Sequence, residues 1–138
     1  MNFHLSNIAE LPIVAKDFLD QYGSYACFAF SGNMGSGKTT FILSILKAMG
    51  ITDPDGSPTY SLINTYESST YGKIYHLDLY RLKDITEAYD IGIEEVLNGT
   101  GMSFIEWPEK IASLLPENTV HINVNVLEDQ SRMINCTL

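Results

Sequence analysis

An α/β fold is what this sequence predicts: a three-layer sandwich around a sheet that mixes parallel and antiparallel strands. Three observations carry that expectation. The first is a glycine-rich run, Gly32-Asn33-Met34-Gly35-Ser36-Gly37-Lys38-Thr39, set between an apolar strand and an amphipathic helix. Strand, glycine loop and helix in that order form a parallel-sheet unit. The second is a pair of β-type runs, 60–67 and 73–80, joined by the short polar link Ser68-Ser69-Thr70-Tyr71-Gly72, which reads as a β-hairpin. The third is a closing pair of strands, 120–127 and 133–138, around the turn Glu128-Asp129-Gln130-Ser131. Antiparallel pairs added to a parallel unit make a mixed sheet.

In chain order, a short strand is expected at Asn2 to Leu5. Ser6 or Asn7 then caps a helix that runs to about Tyr22. Its positions Ile8, Leu11, Val14, Ala15, Phe18 and Leu19 form one apolar stripe, and Gly23 ends it. Tyr25-Ala26-Cys27-Phe28-Ala29-Phe30 reads as a buried strand. Behind the glycine run, Phe41, Ile42, Ile45, Leu46 and Met49 recur at helical spacing up to Gly50. Asp53-Pro54-Asp55-Gly56-Ser57-Pro58 is a turn-rich loop. After the hairpin comes an acidic helical segment over 84–97, broken near Gly92. A short apolar strand over 102–105 is followed by the helix-start signal Trp107-Pro108-Glu109.

Length and composition bound the rest. A chain of 138 residues predicts one domain, 1–138, large enough to bury a core without staples. The apolar share of 45% is ordinary for a globular protein. No apolar run approaches a membrane span, and Met1-Asn2-Phe3-His4-Leu5 lacks the basic start and long apolar stretch of a signal peptide. Cys27 and Cys136 stand far apart with no CxxC pair, so they read as core residues of a reducing compartment. A cytoplasmic protein without membrane attachment is the expectation. The net charge is −9, and Arg81 and Arg132 are the only arginines. That argues against gripping nucleic acid unaided and leaves room for a basic protein partner. The acids Asp84, Glu87, Asp90, Glu94 and Glu95 are either a solvated helix face or an acidic docking edge.

The glycine run fits the phosphate-loop (Walker A) pattern G-x-x-x-x-G-K-[ST] at every fixed position. The fold expectation therefore sharpens to a P-loop NTPase-like sandwich that binds a nucleoside triphosphate. Glycines let successive backbone N–H groups curl toward phosphate oxygens, and the helix starting near Lys38 adds its positive dipole end. Lys38 would reach the β- and γ-phosphates, and the Thr39 hydroxyl would sit on Mg²⁺. Such a site also needs carboxylates to hold metal and orient water. Glu106 ends the apolar strand Ser103-Phe104-Ile105, where a metal-shell carboxylate belongs. Asp78 lies in Ile74-Tyr75-His76-Leu77-Asp78-Leu79-Tyr80, in which His76, Asp78 and Tyr80 share one strand face. His76 is either a hydrogen-bonded core histidine or a catalytic one. Thr59, in Ser57-Pro58-Thr59, is placed to bring a hydroxyl near Mg²⁺ and the γ-phosphate, as switch loops do. Trp107, the only tryptophan, either walls the nucleotide or a partner surface or packs half-exposed on Pro108. Arg81 contacts phosphate or a partner, or forms a surface ion pair.

The combination resembles the TsaE (YjeE) family of small bacterial ATPases, which serve in making threonylcarbamoyladenosine in tRNA. The matching segments are Gly35-Ser36-Gly37-Lys38-Thr39-Thr40-Phe41, Ser57-Pro58-Thr59-Tyr60-Ser61-Leu62, His76-Leu77-Asp78-Leu79-Tyr80-Arg81-Leu82 and Ile105-Glu106-Trp107-Pro108-Glu109. Many families share the phosphate loop; HxDLYRL, IEW and SPTY together are far more specific. Tyr60 stands where a Phe is more usual. The last part of the chain, from about Asn118, adds little. The resemblance covers the length of a whole member. It implies ATP as nucleotide, held by Asn33, Met34, Gly35, Ser36, Gly37, Lys38, Thr39 and Thr40, and Mg²⁺ held by Thr39 and Glu106. It implies Asp78 as the other acid for hydrolysis, Thr59 in the switch-like loop, and Ser6, Asn7 and Arg132 around the nucleoside. It further implies docking on a TsaB–TsaD pair, which carries out the transfer to tRNA, with hydrolysis resetting that pair. Turnover by the isolated chain would then be weak, and tRNA would be met only indirectly.

Three other readings fit the phosphate loop alone. A small kinase needs an acceptor pocket and usually an arginine-bearing lid, for which two arginines and no spare segment give little material. A GTP switch needs an Asn-Lys-x-Asp segment, which the sequence lacks. A nucleotide-dependent assembly factor without turnover would use ATP only to order its docking surface; Asp78 and Glu106 speak against it.

Overall fold

The computed structural model describes every residue except Ser57, Thr59, Tyr60 and Ser61. Seven strands build one sheet: β1 (Asn2–Leu5), β2 (Cys27–Ser31), β3 (Ile63–Ser68), β4 (Gly72–Asp78), β5 (Met102–Glu106), β6 (Val120–Val126) and β7 (Arg132–Thr137). Their spatial order is β1-β7-β6-β2-β5-β4-β3. The central strands β6, β2, β5 and β4 run parallel, while β3 pairs antiparallel with β4, and β7 with both β6 and β1. The mixed sheet expected from the sequence is thus present, with the two hairpin-derived pairs at its opposite sides.

Both faces of the sheet are covered, which makes three layers. On one face, α1 (Leu11–Tyr22) and α2 (Lys38–Ala48) pack on an aromatic core. Phe28 and Phe104 stack at 4.8 Å between centroids, and Phe18 and Phe41 close over them from the helices. On the other face, Leu77, Leu79, Ile105 and Ile111 form a smaller core under α3 (Ile85–Asp90), α4 (Ile93–Asn98) and a 3₁₀ segment, Pro108–Leu114. The continuous apolar run 27–30 has a reason here: its strand is buried on both sides. Cys27 and Cys136 are both buried and free, as core residues should be.

Several elements differ from expectation in instructive ways. The first helix does not run unbroken from Asn7. Residues Ile8–Glu10 make a 3₁₀ turn, and α1 starts only at Leu11 with Pro12 in its first turn. The turn rotates Ile8 out of the apolar stripe, so it is 71% exposed, and Tyr22 takes the last buried place instead. The acidic segment does break at Gly92, whose φ of 84° suits glycine, leaving two short helices. The strand carrying His76 ends at Asp78, so Tyr80 lies beyond it rather than on its face, and is 51% exposed. The helix expected after Trp107 is 3₁₀ throughout, kinked at Ile111.

Candidate functional site

The loop between β2 and α2 follows from backbone requirements. Gly32, Gly35 and Gly37 have φ of 151°, 80° and 108°, a region other residues rarely enter. Gly37 precedes α2 without a side-chain cap, and its carbonyl accepts from Phe41 N at 3.0 Å. The loop closes on itself where Ser36 N donates to Asn33 O. Lys38 points back across the loop: its Nζ donates to Gly32 O at 2.8 Å and lies 3.5 Å from the centre of the Trp107 ring. Burial lowers the Lys38 pKa, and the nearby carboxylates of Glu106, Glu109 and Asp78 oppose that shift without overcoming it.

Strand register brings the acids to this loop. In the β4–β5 pair Asp78 lies opposite Glu106 and His76 opposite Phe104. Parallel partners share a face, so His76, Asp78 and Glu106 all stand on the side of α2. Thr39 Oγ1 donates to Glu106 Oε1 at 2.7 Å, and His76 Nε2 lies 2.8 Å from Glu106 Oε2. Both oxygens of one buried carboxylate are engaged by residues from two other elements. Asp78 is half-buried and turns one oxygen to Tyr80 N at 3.1 Å. Tyr80 packs its ring 5.2 Å from that of Trp107.

Two adjoining cavities flank the loop. One, of about 300 Å³, is lined by Met34, Gly35, Lys38, Thr39, Asp78, Tyr80, Glu106 and Trp107. The other, of about 220 Å³, is lined by Ser6, Asn7, Ile8, Leu11, Ser36, Phe41, Gln130 and Arg132 among others. Gly37 and Thr40 border both. The second cavity has apolar walls with a few polar groups, the character of a small-molecule site. Its rim is fixed locally. Glu10 Oε1 accepts from the backbone N–H groups of Ser6 and Asn7, while Asn7 Oδ1 accepts from Ala9 N. Arg132 donates through Nε to Ser36 O at 2.8 Å and through Nη1 to Gln130 O, which ties β7 to the phosphate loop.

The residues singled out in the sequence therefore divide clearly. Lys38, Thr39, Asp78, Glu106 and Trp107 meet in the first cavity; Ser6, Asn7 and Arg132 meet in the second. Asn33 lines neither and contributes its carbonyl to loop closure. Thr59 lies outside the described residues, and Arg81 is exposed. Sequence reasoning missed Tyr80 as a neighbour of Trp107 and Gln130 as a wall of the second cavity. The turn reading of Glu128-Asp129-Gln130-Ser131 gave a signal for the latter, since hairpin tips often border sites. Among the described residues no group of three or more His, Cys, Asp or Glu side chains is arranged to hold a metal. A hydroxyl and a carboxylate oxygen 2.7 Å apart still suit Mg²⁺, which takes one or two protein oxygens and completes its shell with phosphate and water.

Comparison with known proteins identifies relatives of this chain. The family model described as "Threonylcarbamoyl adenosine biosynthesis protein TsaE" matches residues 5–134. A protein of Rickettsia bellii named tRNA threonylcarbamoyladenosine biosynthesis protein TsaE is 42% identical over 134 residues, covering 96% of this chain and 92% of that one. Its namesake in Treponema pallidum is 41% identical over 103 residues, covering 75% of each. Among solved structures, the crystal structure of Bacillus subtilis YdiB superposes with a TM-score of 0.76 at 25% identity, over 97% of this chain and 82% of that one. No helix among the described residues is long and apolar enough to cross a membrane. The nucleotide-binding α/β fold and a family match across nearly the whole chain lead to one conclusion: this chain belongs to the TsaE family, which takes part in the biosynthesis of threonylcarbamoyladenosine in tRNA.

Proposed function

We propose that this chain, acting as a single cytoplasmic domain, binds ATP with Mg²⁺ and hydrolyses it in the service of a TsaB–TsaD-like complex that modifies tRNA. It meets tRNA only through that complex. The observation that carries this reading is the Thr39–Glu106 contact at 2.7 Å beside a phosphate loop. A triphosphate site needs a loop hydroxyl and a strand-end carboxylate together, and here they touch. Lys38 takes the phosphates, Thr39 and Glu106 hold the cation, and Asp78 orients the attacking water. The cation supplies charge neutralisation on the phosphoryl group. Asn33, Met34, Gly35, Ser36, Gly37 and Thr40 cradle phosphates through the loop. Trp107 walls that cavity, and Ser6, Asn7 and Arg132 receive the nucleoside in the second. Thr59 belongs to the switch-like loop that senses the γ-phosphate.

Hydrolysis by the free chain is expected to be weak, because a switch that fires when docked waits for a group ordered or supplied by its partner. Such groups are worth about 10³–10⁵ in rate elsewhere. The test is Mg²⁺-dependent ATP turnover by the isolated chain, then with a TsaB–TsaD pair from the same source. Strong activation that Lys38→Ala abolishes supports the reading. High turnover by the chain alone, indifferent to the pair, refutes it and directs attention to a phosphate acceptor. Nucleotide-dependent docking with no turnover at all identifies an assembly factor instead.

A further inference from the structure

His76 is fully buried in β4, 30 positions before the glutamate that its ring contacts. An ionised carboxylate only accepts hydrogen bonds, so in the 2.8 Å contact with Glu106 Oε2 it is Nε2 that carries the hydrogen. Nδ1 is also buried and finds no hydrogen-bond partner among the described residues. An imidazole is also an expensive way to fill this place. Its strand neighbours Ile74 and Leu77 fill the two cores without any polar atom to satisfy.

We propose that His76 is a positioning residue for Glu106. Its Nε2–H holds one carboxylate oxygen, and that leaves the other, Oε1, turned to Thr39 Oγ1, the pair that would hold the cation. Without the ring, Oε2 loses this donor, and the carboxylate is held less firmly in this orientation. Groups that orient a metal-binding carboxylate in this way commonly matter by about 10–100-fold in metal affinity. The inference rests on the ATP–Mg²⁺ reading above and adds to it the residue that sets the geometry.

The test compares His76→Gln, whose amide nitrogen reaches as far as Nε2, with His76→Asn, which falls short. Affinity for a non-hydrolysable ATP analogue is measured by calorimetry with and without Mg²⁺, and folding is checked by circular dichroism. Both variants should bind the analogue like wild type when Mg²⁺ is absent. The strengthening by Mg²⁺ should survive in the Gln variant and fall by about tenfold or more in the Asn variant. Adding His76→Asn to Glu106→Ala should cost nothing further. The proposal is overturned if the Asn variant keeps the full Mg²⁺ effect, or if affinity drops equally with and without Mg²⁺. It is also overturned if neither variant folds, since His76 is then a packing residue, or if a folded Gln variant loses the Mg²⁺ effect. A wild-type protein indifferent to Mg²⁺ removes the ATP–Mg²⁺ reading and this inference together. A normal wild-type response that the Asn variant shares removes this inference alone.

Discussion

Lys38 is only 5% exposed, and desolvation draws its pKa below the ordinary lysine value of 10.5. A lysine whose folded pKa is lowered is less comfortable charged in the fold than in the unfolded chain. Its contribution to stability is unfavourable at neutral pH and is relieved as pH rises through the window between the lowered value and 10.5. Lys38→Met should therefore melt a few degrees higher than wild type at neutral pH while losing nucleotide affinity. Thermal melts and nucleotide titrations check both halves, and a Met variant that melts lower would show that the Gly32 and Trp107 contacts outweigh desolvation. Function and stability oppose one another at this side chain, as they often do at sites. Glu106 shows the complementary case. Its two oxygens are engaged by Thr39 and His76, so this acid is oriented before any ligand arrives.

The turn from β2 into α2 is where local backbone and neighbouring strand constrain each other most tightly. Gly32 has φ of 151°, and a Cβ placed there would come within 2.5 Å of Val124 O and 2.8 Å of Ser36 Oγ. The first atom is backbone of β6 and cannot swing aside. Gly32→Ala should lower unfolding free energy by about 2–4 kcal/mol, measured in urea, through strain and overpacking together. A loss below about 0.5 kcal/mol would mean that the loop relaxes freely. The motif pattern requires this glycine, but the neighbour that forbids a side chain lies 92 residues further along the chain. At the N-terminal edge of the site the element differs from the sequence reading. Pro12 and the Asn7–Glu10 capping box favour a tight 3₁₀ turn before α1, and that turn holds Ser6 and Asn7 at the rim of the second cavity. Helical periodicity alone extends the apolar stripe to Ile8, because it assumes one helix where the chain makes two.

Across the whole molecule, the aromatic layer between sheet and helices supports the site from below. Phe104 is fully buried, stacked on Phe28 with ring planes 9° apart, and flanked by Phe30. It sits two residues before Glu106 on the same face of β5. Phe104→Ala should cost about 3–5 kcal/mol in chemical denaturation, from lost contact and the cavity left behind. A cost near 1 kcal/mol would mean that the helices collapse onto the gap. The acidic surface carried by Asp84, Asp90, Glu94 and Glu95 is exposed on the opposite layer, so the charge of −9 is not concentrated in the phosphate cleft.

The sequence by itself determined the phosphate loop, the alternation of strands and helices, the mixed sheet and the residue types able to bind phosphate and metal. Those features depend on spacing within a few residues, and spacing is what a sequence records. Only the tertiary structure decided which of these groups meet. The order β2-β5-β4 puts Phe30, Glu106 and Asp78 side by side in register, although they come from segments far apart in the chain. The same order carries His76 to Glu106, and the pairing of β1 with β7 brings Ser6 and Asn7 to the cavity that Arg132 borders. Strand alternation predicted that His76 and Asp78 share a face. It had no means of telling which carboxylate the imidazole would hold, because contacts across a sheet follow from crossover connections and register rather than from local periodicity.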